Sequence, residues 1–194
     1  MSPRNVAIFV FDDVEVLDFA GPYEVFNVAS ELTRPQPFYV YNVGLSHHSV
    51  LGRGKFQVTP RYSVDDCPQP DILVVPGGSG TRPLLKHERL LQWLAAQASR
   101  VELLLSVCTG ALLLAKAGLL ENRDATTHRS AFDQLRELSP STRVVADERF
   151  VQSAEKIFTA AGISAGIDLS LHIVERLLGP EARQSVTTEM EYRM

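Results

Sequence analysis

Cys108 stands between two apolar runs, Val101-Glu-Leu-Leu-Leu-Ser-Val107 before it and Ala111-Leu-Leu-Leu-Ala115 after it. A strand that ends on a nucleophile and turns at once into a helix is a nucleophile elbow, which exposes one side chain at a sharp turn. Gly110 follows two residues later, where a side chain would crowd the returning backbone. A thiol in this place faces the positive end of a helix dipole and unpaired backbone N–H groups. Both favour the thiolate and predict a lowered pKa. Free cysteine is often simply core, but the strand–turn–helix setting favours a reactive one.

Such a nucleophile needs a group to manage protons and donors for developing charge. Asp18, in Val16-Leu17-Asp18-Phe19-Ala20-Gly21-Pro22, is the best proton manager; by position alone it reads first as a helix N-cap. In Pro76-Gly77-Gly78-Ser79-Gly80, the N–H groups of Gly77, Gly78 and Ser79 either join that of Thr109 in an anion hole or form only a tight turn. No Gly-Lys-Ser/Thr follows, so this is not a phosphate loop. The Thr109 hydroxyl sits beside the nucleophile, either as a ligand donor or as a helix-start hydroxyl. His128, in Ala125-Thr-Thr-His-Arg129, has the chemistry to polarise a substrate or water, although a structural histidine is the commoner case.

The elements that must position these residues alternate. Strands are expected at residues 6–11, 38–43, 72–75 and 103–107, with a small hairpin at 50–59. Helices are expected at 23–32, opening on Gly21-Pro22, at 84–98, and from the elbow to Ala117, closed by Gly118. Beyond these come a short strand at 125–127, a helix at 131–138, strands at 143–145 and within 150–158, and a last helix at 163–178 stopped by Gly179-Pro180. This alternation predicts a three-layer α/β/α sandwich with a mostly parallel sheet. Its site should lie at the carboxyl ends of the strands, where the loops at 12–21, 77–80 and 108–110 fall.

Composition narrows the field. The 194 residues, expected to form one domain over 1–194, are 45% hydrophobic and 22% charged, enough for a full core without disulfides. The net charge of −4 and the lack of a basic stretch argue against nucleic acid as a partner. Cys67 and Cys108 belong to no CxxC pair, so neither a zinc site nor a disulfide scaffold is expected. No run approaches the ~20 apolar residues of a membrane span, and the first apolar run reads as a strand, not a signal peptide. A reducing cytoplasm is the default location.

With these motifs set out, the chain resembles the DJ-1/PfpI superfamily, whose fold is flavodoxin-like and related to class I glutamine amidotransferases. Within it the chain is similar to the isocyanide (isonitrile) hydratase branch. The resemblance rests on Leu17-Asp-Phe-Ala-Gly-Pro-Tyr-Glu-Val-Phe26, Val74-Val-Pro-Gly-Gly-Ser-Gly80, Ser106-Val-Cys-Thr-Gly-Ala111, Ala125-Thr-Thr-His128, Ala161-Gly-Ile-Ser-Ala-Gly-Ile-Asp168 and Glu191-Tyr192. It implies that Cys108 is the nucleophile, that Asp18 is its acidic partner, and that Ile163 belongs with His128 to the substrate-binding set. Protease-like relatives have histidine where this chain has Thr109, so a peptidase is not implied. Arg129 departs from the tryptophan that often follows the histidine and implies a changed pocket. The same signature occurs in ligand domains of AraC-type regulators; with the sequence ending at Met194, no helix-turn-helix region is expected. The resemblance implies a cofactor-independent, homodimeric hydratase of a small molecule. A ligand- or redox-sensing protein and a glyoxalase-like enzyme using His128 are the alternatives.

Overall fold

The structure is a computed structural model that describes residues 2–193; Met1 and Met194 lie outside it. In chain order the elements are β1 (Arg4–Phe9), α1 (Val16–Leu32), β2 (Phe38–Gly44), β3 (Val50–Leu51), β4 (Gln57–Val58), β5 (Tyr62–Ser63), β6 (Ile72–Val75), α2 (Thr81–Leu84) and α3 (Glu88–Arg100). They continue with β7 (Leu103–Val107), α4 (Gly110–Lys116), β8 (Asp124–Ala125), α5 (Phe132–Leu138), β9 (Arg143–Val144), β10 (Phe150–Gln152), β11 (Ile157–Ala160), α6 (Ala165–Leu178) and α7 (Pro180–Glu189).

Seven strands form one sheet in the order β10-β11-β7-β6-β1-β2-β5. All neighbours are parallel except β10 and β11. β6, β7 and β11 are buried along their whole length, which is why they are largely apolar and not alternating, Ser106 and Thr159 being the exceptions. α1, α6 and α7 pack on one another, and α2, α3 and α5 on α4, so two helical layers enclose the sheet. The expected α/β architecture with a mostly parallel sheet is present. β3 and β4 form the expected hairpin. β2 and β6 flank β1 on opposite sides, so the chain reverses its direction of travel there and opens a crevice at the strands' carboxyl ends.

Three expectations are corrected. α1 starts at Val16, so Pro22 lies inside it and not at its start. Proline removes the N–H that would bond the Asp18 carbonyl. The helix persists because Phe19, Val25, Phe26 and Ala29 are buried, and because Gly21 lets α1 approach Ile167 of α6. The helix expected at 84–98 begins only at Glu88 and runs to Arg100 as α3, because His87 Nδ1 accepts the Leu90 N–H and starts it there, while Leu84 ends the separate α2. Gly179-Pro180 ends α6 but also begins α7, where a proline in the first turn loses nothing. Among the described residues no helix is long and apolar enough to cross a membrane.

Candidate active site

The elbow is present. β7 delivers Cys108 with φ of +55°, a left-handed conformation that costs a non-glycine residue roughly 1–2 kcal/mol. Neighbouring groups hold it there. The Cys108 N–H is shared between the carbonyls of Ala160 (3.1 Å) and Ala161 (2.9 Å), and its C=O accepts from Thr127 Oγ1 at 2.7 Å. Gly110 is obligatory: a Cβ there would lie 2.0 Å from the Val75 carbonyl oxygen. The side chain is nearly buried, at 6% exposure.

Asp18 is fully buried in the first turn of α1. It is not the N-cap; Glu15 holds that position without capping through its side chain. Asp18 Oδ2 instead accepts the Gly77 N–H at 3.0 Å, from the loop after β6, while Oδ1 has no hydrogen-bond partner among the described residues. The carboxyl and the Cys108 thiol lie close enough for each to shift the other's titration. Burial raises Asp18 to about 7, against the opposing pull of the Gly77 N–H. Burial, and then the Asp18 charge, push the Cys108 thiol up to about 12, despite the backbone N–H groups of Thr109 and Ile163 that donate toward the sulfur. The expectation of a lowered thiol pKa is therefore corrected. A helix start supplies donors, but desolvation and a neighbouring carboxylate outweigh them. At neutral pH the pair holds between one and two protons and passes to one above about 7.

The glycine loop serves a different purpose from an anion hole at the sulfur. Gly77 holds Asp18, and the Gly78 N–H donates to Thr109 Oγ1 at 2.9 Å. Thr109 Oγ1 donates back to the Gly78 carbonyl at 3.1 Å. The Thr109 hydroxyl is thus spent on fixing the loop, and its backbone N–H serves the thiol. Gly77 has no room for a Cβ, which would meet the Thr109 nitrogen at 2.4 Å. Ser79 is exposed in the turn and does not line the Cys108 cavity. Ile163, at φ of +42° just before α6, supplies the second donor to the sulfur. That donor is a backbone group, so no residue type announces it.

Cys108 opens into a cavity of about 140 Å³ lined also by Glu15, Arg53, Arg82, His128, Ser130 and Ile163. Sequence reasoning missed Glu15, Arg53, Arg82 and Ser130; the only available signal was Glu15's place in the acidic loop before Asp18. Arg53 Nη1 donates to Glu15 at 2.6 Å across the mouth. His128 is in the wall, with Nδ1 engaged to Ser130 Oγ at 2.8 Å. His128 and Ile163 also line a second cavity of about 330 Å³, together with Arg129, Phe132, Ala146 and Gly162. Cys67 is a free thiol away from this site, and His47 pairs with Asp66. Among the described residues no three His, Cys, Asp or Glu side chains converge as metal ligands would.

Comparison with known proteins places this geometry. Residues 4–176 match the DJ-1/PfpI family. The chain belongs to that family. It is 35% identical to an isonitrile hydratase of Pseudomonas putida over 188 residues, 97% of this chain and 78% of the other. It is 27% identical to the HTH-type transcriptional regulator GbdR of Pseudomonas aeruginosa over 191 residues, where it spans 51% of the regulator's length. A crystal structure of a THiJ/PfpI family protein from Pseudomonas syringae superposes with a TM-score of 0.89 at 27% identity, covering all of this chain and 77% of that one. The DJ-1/PfpI domain is thus used both by an enzyme and in a regulator, and the site chemistry must separate the two uses.

Proposed function

We propose that this chain is a cofactor-independent hydratase that converts an isocyanide and water into an N-substituted formamide. The observation that carries the reading is the buried Cys108–Asp18 pair, in which a carboxyl raised to about 7 faces a thiol with two backbone donors aimed at its sulfur. The isonitrile hydratase similarity agrees with it.

In the first step the Asp18 carboxylate takes the thiol proton as sulfur bonds to the terminal carbon of R–N≡C. That carbon, now carrying the displaced electron pair, takes the proton back from Asp18 and leaves the thioimidate R–N=CH–S–Cys108. In the second step a water oxygen bonds to the same carbon while Asp18 accepts a water proton and relays one to nitrogen. The C–S bond then breaks as Asp18 takes the hydroxyl proton and passes it to the departing sulfur, which restores the Cys108 thiol and the Asp18 carboxylate, and R–NH–CHO is released. A carboxyl near 7 can both give and take a proton at neutral pH, as each step requires. We take the enzyme to be a homodimer, as the family resemblance implies, and place it in a reducing cytoplasm, the default for a chain with two unpaired cysteines.

A redox sensor would need an easily ionised, accessible thiol. Burial and the raised pKa of Cys108 speak against it. Purified protein mixed with an aryl isocyanide should form the formamide, read by chromatography, with methylglyoxal consumption and peroxide oxidation of Cys108 followed in parallel. Formamide no faster than with Cys108→Ala would refute the hydratase.

A further inference from the structure

The walls around Cys108 carry more positive than negative charge. Arg53 is neutralised by Glu15. Arg82 and Arg129 have no carboxylate partner among the described residues. Arg82 is half-buried in the same cavity as Cys108, whereas Arg129 is exposed and lines the neighbouring cavity. Arg82 is thus the one cation in the walls of the Cys108 cavity without a carboxylate partner among the described residues. A neutral ligand would give this guanidinium no partner.

Arg82 is also shaped for a particular group. Its Nη1 donates to the Gly78 carbonyl (3.2 Å) and to Thr81 Oγ1 (3.3 Å), both in the turn that Thr109 fixes. These bonds anchor one corner of the guanidinium and leave the Nε–Nη2 edge without a partner among the described residues. That edge is the side-on fork that receives a carboxylate through two parallel N–H···O bonds. The 140 Å³ around Cys108 equals roughly five waters at ~30 Å³ each, which suits a reactive group and a short acid arm.

We propose that the R group of the substrate ends in a carboxylate, received by the Nε–Nη2 edge of Arg82. The substrate class is an isocyano acid, and the product is the N-formyl derivative of the corresponding amino acid. The proposal rests on the hydratase reading for the reaction, but its charge preference has a test that needs no turnover.

Cys108 is alkylated with iodoacetate, which carries a carboxylate, and with the neutral iodoacetamide, and modification of its peptide is followed by mass. Relative to the same ratio for a small free thiol, the iodoacetate-to-iodoacetamide rate ratio should be higher by about 10-fold or more, as expected for a charge-assisted pair. Arg82→Gln should bring it down to the free-thiol value, and Arg82→Lys should keep part of it, because the charge remains while the fork is lost. The iodoacetamide rate alone monitors any disturbance of the turn. In turnover, isocyanoacetate should be preferred over its methyl ester by a similar factor. A parent ratio at or below that of the free thiol, or one unchanged by Arg82→Gln, overturns the proposal while formamide formation from the ester leaves the hydratase standing. A raised ratio with no formamide from either compound keeps the anionic site and removes the hydratase. If Cys108 resists both reagents, the acid-to-ester ratio in turnover decides, and absence of both labelling and turnover overturns both readings.

Discussion

Replacing Asp18 by asparagine should stabilise the fold at alkaline pH while disabling the reaction. Asp18 is fully buried, and its pKa rises from an ordinary 3.8 to about 7 in the folded state. The native protein therefore keeps this proton at pH values where the unfolded chain has released it. The stability linked to Asp18 is whole below about pH 4 and falls as pH rises, until the folded-state carboxyl has ionised near 7. Over the span from pH 5 to pH 8 the loss is about 3 kcal/mol at 1.36 kcal/mol per pH unit. Asparagine has no proton to lose, so the stability of Asp18→Asn relative to the parent should increase by that amount between the two pH values. At roughly 2–4 °C per kcal/mol for a chain of this size, its melting temperature relative to the parent should rise by ~6–12 °C more at pH 8 than at pH 5. Taking the difference between variant and parent removes the many surface groups that titrate alike in both. Turnover of an aryl isocyanide should fall by about 10²–10⁴, the usual contribution of a positioned acid–base group. Calorimetric scans at the two pH values with parallel assays make the measurement. Melting curves that keep the same separation at both pH values would show that Asp18 ionises normally, and the proton-relay argument would fail with it.

Other outcomes follow from the same geometry. Because the reaction uses the one-proton state of the pair, kcat/KM should rise about tenfold per pH unit below 7 and level off above it; a rate independent of pH from 5 to 8 would exclude Asp18 as its source. Cys108→Ala should abolish formamide formation while Cys67→Ala leaves it close to the parent rate; substantial activity in the first variant would refute the nucleophile. Gly110→Ala places a Cβ 2.0 Å from the Val75 carbonyl oxygen and should cost about 3 kcal/mol or more, whereas Gly54→Ala has open space and only its positive φ to oppose it. Sedimentation at micromolar concentration should give a dimer; a clean 21.5 kDa species would refute it.

The sequence by itself determined the sheet and the elbow. β6 and β7 match their expected runs residue for residue, because strands buried on both faces are largely apolar, and that is visible in one dimension. Cys108 and Gly110 were legible for a related reason: a strand-to-helix turn needs a particular residue type at a particular step. Asp18 was visible only as an ambiguous aspartate near a helix start, since its choice between cap and partner depends on a loop 59 residues away that supplies the Gly77 N–H. The pKa of the thiol went the wrong way in one dimension because a helix start is local and written in sequence, while desolvation is the sum of everything packed around a group. Ile163 donates through its backbone, and Arg82 presents its open edge because Gly78 and Thr81 hold the other corner. Donor directions and burial arise only when distant segments meet. Local patterning thus decided where the reactive cysteine stands, and tertiary packing decided its protonation, its partner and the charge of the space in front of it.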